Sequence, residues 1–377
     1  MEPKERMDVA MSLGTPDRVP VMCQMSIGHM LLQTGLPPEE FWFSAEVFAE
    51  GLCRLRKTYG FDGILVSLYG HSRDTMKHAA SLTRKDSDVV ILWKNGDKTV
   101  FPPDDLPRHY PREKKPLPLV SEFDPDRIPE DLRIIPVSQG LEFRIHPGNK
   151  YEVFSFVKER VGDAISIHGE VTSPFDYLLH MFGFEQALIA LREEPARCLA
   201  MLERLAHGVR KIAVEQCLLP VDAIKISSPF AGAGFISPDD YRRFVLPFES
   251  QIAQAVREKG IHVYTHTCGR ISDRLELMVS AGISGLECLD PPPIGDVSLE
   301  DAKKRVGHEV FIKGNVNPVG VLLYGNPESV FKDARFRLRV GMPGGGYILS
   351  SACSVAPRTP PENILALVRA AEELGRY

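Results

Sequence analysis

The 377-residue chain has no run of 18 apolar residues, so a membrane-spanning helix is not expected. Its N-terminal stretch MEPKERMDVAMSLG is charged and lacks the apolar core of a secretory leader, which points to the cytoplasm. Positive charge is not in excess either. The net charge of −5 gives no reason to expect nucleic acid as a partner. Cysteine is sparse: seven residues, odd in number and scattered, do not make a disulfide framework and suit a reducing compartment. No G-x-G-x-x-G follows the first strand candidate, and Gly344-Gly345-Gly346 precedes a strand, so neither a dinucleotide fold nor a phosphate cradle is indicated. What is present is ordinary globular material, 44% hydrophobic and 25% charged.

Short apolar runs predict eight strands, near residues 19, 64, 164, 223, 262, 285, 310 and 347. Helical spacing fills most of the gaps, as in Ser44–Tyr59, Phe184–Glu215, Ser237–Lys259 and Pro327–Val340. Ser237-Pro238 and Ser298 with Asp301 supply N-terminal caps. Repeated βα units in this number predict an α/β fold, a (β/α)8 TIM barrel in a single domain. The pattern breaks once, after the second strand. At about 71–150 a hairpin around Asn95-Gly96-Asp97 and a Pro-rich, charged stretch read as an insertion. His71, Arg73 and Lys77 there are candidates for a site mouth, or simply a solvated loop.

Chemistry in such a barrel sits at the carboxyl ends of the strands. Strand three ends in His168 and Glu170, strand five in His266 and Cys268, strand six carries Glu287 and Cys288, strand seven leads to Lys313 and Asn315, and strand eight to Cys353. His266 and Cys268, two residues apart, project from the same face. Alone, H-x-C more readily describes a buried, hydrogen-bonded histidine beside an inert thiol. Closure of the barrel brings Cys353 to the same mouth, which makes a three-ligand site with an open fourth position, the pattern of a catalytic zinc. Glu287 is the expected fourth ligand at rest, with Cys288 facing the opposite way.

The stretches PKERMDVAMSLGTPDRVPV, SPDDYRRFVLPF, THTCG, FIKGNVNP and PGGGYILSSACSVAPRTPPENI resemble the uroporphyrinogen decarboxylase superfamily over nearly the whole chain. Within it, VPVMCQMSIGHM lacks the arginines and ILVSLYGHS the acid that the decarboxylases carry for a porphyrinogen. The His-x-Cys pair and distant Cys instead resemble the corrinoid-dependent methyltransferase branch, which includes the methylcobalamin:coenzyme M methyltransferases. That resemblance implies Zn(2+) on His266, Cys268 and Cys353, with Glu287 as fourth ligand. It also implies methyl transfer between a corrinoid, methylcobalamin or one on a separate corrinoid protein, and a thiol or other small-molecule acceptor or donor. His168, Glu170 and Glu287 are candidate catalytic groups, and Tyr177 and Asn315 candidate cofactor-pocket residues; a structural hydrogen bond would serve each as well. No D-x-H-x-x-G is present to ligate cobalt within this chain. The alternative reading is decarboxylation of a tetrapyrrole or smaller acid. No membrane partner is expected, and a homodimer is left open.

Overall fold

A computed structural model describes residues 1–114, 116–137 and 140–377. Seven parallel strands form its central sheet: β1 (Gly63–Val66), β8 (Ser166–Thr172), β9 (Ala223–Ser227), β10 (His262–Thr267), β11 (Gly285–Cys288), β12 (Phe311–Val316) and β13 (Tyr347–Ser351), paired in that order. Nearly every residue in them is buried, as expected for strands covered on one face by helices and filled on the other by the barrel interior.

The eighth strand expected near residue 19 is reduced to bridges. Val21 pairs with Leu349, and Met25 with Val355. The reason lies in which backbone groups are free. Pro20 has no N–H, and the Val21 N–H is taken by the Asp62 carboxylate at 2.7 Å. The segment still closes the ring: Leu349 N–H donates to the Pro20 carbonyl at 2.9 Å, and Asp62 N–H to the Val21 carbonyl at 2.9 Å.

The helix Pro3–Met11 stoppers the amino-terminal end of the barrel. Met7, Ala10 and Met11 pack with Met22, Leu65, Ala223, Tyr264, Phe311 and Ile348 in one buried apolar cluster. Arg6 fastens the plug, donating to Asp62 at 2.6 Å and to Asp17 at 2.6 Å, while Arg18 reaches Asp62 at 3.0 Å. Apolar side chains therefore close the amino-terminal end of the barrel.

Between β1 and β8 the chain builds more regular structure than its Pro-rich sequence suggests. The expected hairpin is present as β3 (Asp88–Trp93) and β4 (Lys98–Phe101). It is flanked by β2 (Ala79–Lys85) and β5 (Arg108–Tyr110) in a four-stranded antiparallel sheet. β6 (Ile134–Pro136) and β7 (Glu142–Arg144) form a separate ribbon. Phe43 stacks edge-on against Trp93 and Phe101, and Trp42 against Phe143, joining this region to the helix Pro38–Phe43. His71 is not at a mouth: it is buried between the rings of Phe48 and Phe143, 4.9 and 4.8 Å away. Arg73 and Lys77 are exposed, Lys77 pairing with Asp74. The helix expected over Ser237–Lys259 is two, Pro238–Phe244 and Leu246–Arg257, broken where Pro247 interrupts the N–H ladder. Among the described residues no helix is long and apolar enough to cross a membrane.

Candidate metal centre

β10 delivers His266 to the open end of the barrel, and the chain leaves the strand at Cys268 through Gly269, whose φ of 76° a side chain would rarely adopt. β13 ends two residues before Cys353. The three donor atoms meet. Nε2 of His266 is 3.3 Å from Sγ of Cys268 and 3.9 Å from Sγ of Cys353, and the two sulfurs are 3.7 Å apart. A tetrahedral zinc needs sulfur–sulfur edges of about 3.8 Å and sulfur–nitrogen edges of about 3.6 Å, from bond lengths of roughly 2.3 and 2.05 Å. The observed triangle matches the first and brackets the second. The donor set fits a zinc ion without rearrangement.

The electrostatics agree. Burial opposes protonation of His266, but Cys268, Cys353 and Glu287 outweigh it and push the imidazole well above its usual range. Hydrogen bonds from Cys268 and Cys288 hold the Cys353 thiol well below its usual range. The pocket is thus arranged to stabilise a positive charge among these atoms.

Glu287 does not join the triangle. Its Oε2 lies 2.8 Å from Nδ1 of His266, on the far side of the ring, and its Oε1 accepts from Lys313. Lys225 stands 3.7 Å from the same carboxylate, 3.0 Å from Glu170 and 2.7 Å from the Gln24 side-chain oxygen. The register explains this: His266, Glu287 and Lys313 are direct neighbours on β10, β11 and β12. Burial raises the cost of the Glu287 charge, yet Lys313 and Lys225 hold its carboxyl well below the usual range. The carboxylate therefore accepts a hydrogen bond from Nδ1–H and fixes the ring, so that Nε2 is the nitrogen available to a metal that displaces its proton.

The other expected site residues divide by depth. Glu170 faces the same charged layer through Lys225. His168 does not reach it. It lies two residues before Glu170 on β8, one inward-facing layer deeper, about 7 Å along the strand. Its ring nitrogens meet Tyr264 Oη at 3.0 Å and Ser166 Oγ at 3.2 Å, inside the barrel floor. Tyr177 points away, its hydroxyl donating to the Ile134 carbonyl at 2.6 Å. Asn315 is buried and braces the turn after β11, donating to the Leu289 carbonyl at 2.8 Å and accepting from Arg337 at 2.6 Å.

Strand alternation placed Cys288 on the opposite face from Glu287. Its φ of 85° breaks the alternation, so its sulfur joins Cys268 and a carboxylate oxygen of Asp290, all within 4.8 Å of one another. Lys225 also escaped notice as a site residue, and Lys313 was placed at a strand end without a role. A lysine in the middle of an apolar strand, AIKIS or FIKGNV, is the signal that would have found them, because a buried ammonium requires a carboxylate partner.

A parallel barrel, stoppered at one end, thus carries at the other an imidazole–thiol triangle that could hold a metal ion. The chain belongs to the uroporphyrinogen decarboxylase (URO-D) family, which matches residues 123–374. Among curated proteins it is 27% identical over 224 residues to the methylcobamide:CoM methyltransferase MtbA of Methanosarcina acetivorans, covering 59% of this chain and 62% of that one. It is 28% identical over 228 residues to the uroporphyrinogen decarboxylase of Methylococcus capsulatus, covering 58% and 62%. The matched part thus spans less than two thirds of either relative, and identity alone does not separate the two activities. A solved methyltransferase from Methanosarcina mazei superposes with a TM-score of 0.73 over 99% of both chains at 19% identity, which establishes the shared fold.

Proposed function

We propose that the chain is a methyltransferase that moves a methyl group between a corrinoid and a small-molecule thiol, at a zinc ion held by His266, Cys268 and Cys353. The observation that carries this reading is the donor triangle, whose edges are those of a tetrahedral zinc site lacking one ligand. The methyltransferase relatives support the choice of reaction. Zinc bound here would keep a coordinated substrate thiol as thiolate at neutral pH.

The protein's own residues prepare that site. Glu287 orients His266 by accepting a hydrogen bond from its Nδ1–H. Lys313 and Lys225 neutralise Glu287 inside the barrel. The Met7–Met11 plug and the Tyr264–Phe311 layer fill the opposite end of the barrel. Substrates therefore approach from the carboxyl ends of the strands. In the net reaction a carbon–sulfur bond replaces a carbon–cobalt bond, the electron pair of the broken bond staying on cobalt. The corrinoid is supplied by a separate corrinoid protein.

The test is demethylation of methylcobalamin by the zinc-loaded chain across a panel of small thiols, followed by the corrinoid's absorbance. Thiol-dependent loss of the methylcobalamin spectrum is expected. No loss with any thiol, at one zinc per chain, would overturn the assignment.

A further inference from the structure

Met22, Leu65 and Tyr264 belong to the apolar floor of the barrel. Gln24, Ser67 and His266 stand two residues further along the same segments. They therefore face inward one layer higher, a placement set by alternation along the strand and not by any one rotamer. The segment of Gln24 bridges to β13 and bonds to Asp62 just before β1, so Gln24 and Ser67 are neighbours on the wall across the barrel from β10 and His266. The amino-terminal end is plugged, yet both residues are only half-buried, so they are reached from the open end. Neither is spent. Gln24 accepts from Lys225 at 2.7 Å through its side-chain oxygen, while its NH2 group and the Ser67 hydroxyl make no hydrogen bond among the described residues. The charges of this layer, by contrast, are balanced: Lys225 faces Glu170 at 3.0 Å, and Lys313 faces Glu287. Two cysteine thiolates would likewise balance a zinc ion. No cation in the layer is left over for a second anion, and a buried charge without a partner is among the costliest arrangements in a protein interior.

We infer that Gln24 and Ser67 form the subsite for the substrate's tail, and that the substrate is a short thiol ending in a neutral hydroxyl, not in a carboxylate or sulfonate. This rests on the zinc and thiol reading above and names its substrate class. The interior of an eight-position barrel is only wide enough for side chains, so a tail of a few atoms running from the metal triangle meets the opposite wall. There a hydroxyl accepts from the Gln24 NH2 group and exchanges a hydrogen bond with Ser67. An apolar tail leaves both groups unpartnered, and an anionic tail adds a charge that the balanced layer does not neutralise.

The test loads the whole chain with Co(II), titrates it with short thiols and reads the sulfur-to-cobalt charge-transfer band as each binds. 2-Mercaptoethanol is expected to bind about tenfold more tightly than ethanethiol, the effect of one or two hydrogen bonds. It is expected to bind at least about tenfold more tightly than 2-mercaptoethanesulfonate and 3-mercaptopropionate, whose charge goes unpaired. In Gln24→Leu and in Ser67→Ala the advantage over ethanethiol is expected to fall to about threefold or less, with ethanethiol itself binding as in wild type. Comparing that ratio between variants removes differences in thiol acidity, and a role limited to packing would move both thiols together. Ser67→Ala deletes only an unpartnered hydroxyl, so it decides the outcome if Gln24→Leu does not fold. An acidic thiol that binds as tightly as 2-mercaptoethanol overturns the inference and leaves the zinc reading intact. So does a hydroxyl advantage that is absent from wild type, or that survives in every variant that folds. A wild-type chain that takes up no cobalt, or takes it up and binds no thiol, overturns the proposed function, and the inference with it.

Discussion

His71→Leu is expected to stabilise the fold, and to do so more strongly in acid. His71 is 1% exposed, and neither ring nitrogen has a hydrogen-bond partner among the described residues. Burial alone lowers its pKa from 6.5 to about 3. The sign follows from where the proton can bind. Below about pH 6.5 the unfolded chain takes up a proton that the folded chain refuses until about pH 3, so stability is lost as pH falls through that window. At pH 5 the unfolded state gains about 2 kcal/mol from this one site, against a few tenths at pH 7. Leucine, of similar volume, fits between Phe48 and Phe143 and removes two unpartnered polar atoms, a gain of about 1 kcal/mol at pH 7. Urea denaturation of both proteins at pH 7 and pH 5 measures the difference directly. The advantage of the variant should widen by about 2 kcal/mol between the two pH values. His29 and His168, also buried, are common to both proteins and cancel. An advantage that does not change with pH would refute the reasoning.

Three further outcomes are expected. Asp62→Asn takes one of two carboxylate partners from buried Arg6, which keeps Asp17, and the ion pair from Arg18, and should cost about 2 kcal/mol of stability, read by urea denaturation. Asp176, buried against Ser173, has its carboxyl pushed up to about 8 by burial. The folded chain keeps that proton where the unfolded chain releases it, so its contribution is complete below about pH 4 and is lost as pH rises to about 8. The thermal midpoint of Asp176→Asn should accordingly fall less than wild type's between pH 5 and pH 8. Glu287→Gln weakens the support of His266 and should lower zinc affinity by roughly 10- to 100-fold in a chelator competition, with the fold unchanged by circular dichroism.

The barrel was legible because its strands are apolar runs with helical spacing between them, and β8 to β13 lie where those runs predict. Val19–Met25 carries the same signal but forms only bridges, because the Asp62 side chain takes a backbone donor that a hydropathy pattern cannot assign. The sheet β2 to β5 was half legible: the Asn95-Gly96-Asp97 turn gives the hairpin, whereas the short, exposed strand Arg108–Tyr110 has no apolar face to announce it. At the site, residue types and strand ends were sufficient to bring His266, Cys268 and Cys353 together. Depth along a strand was not readable. Register sets His168 in the floor and Glu170 in the charged layer, though both lie on β8. Glu287 meets Nδ1 of the imidazole beside its register neighbour Lys313, and the reach of Cys288 depends on a backbone angle that alternation does not foresee.

Methyl transfer at this barrel mouth requires that the thiol–imidazole triangle hold a metal. Its most direct test is the zinc content of the protein purified without added metal, for wild type and Cys353→Ala, by inductively coupled plasma mass spectrometry on reduced samples. One zinc per wild-type chain, lost or sharply weakened in the variant, is the predicted result. A wild-type chain that stays free of zinc after loading would contradict the account and leave His266 as a buried histidine between a thiol and a carboxylate.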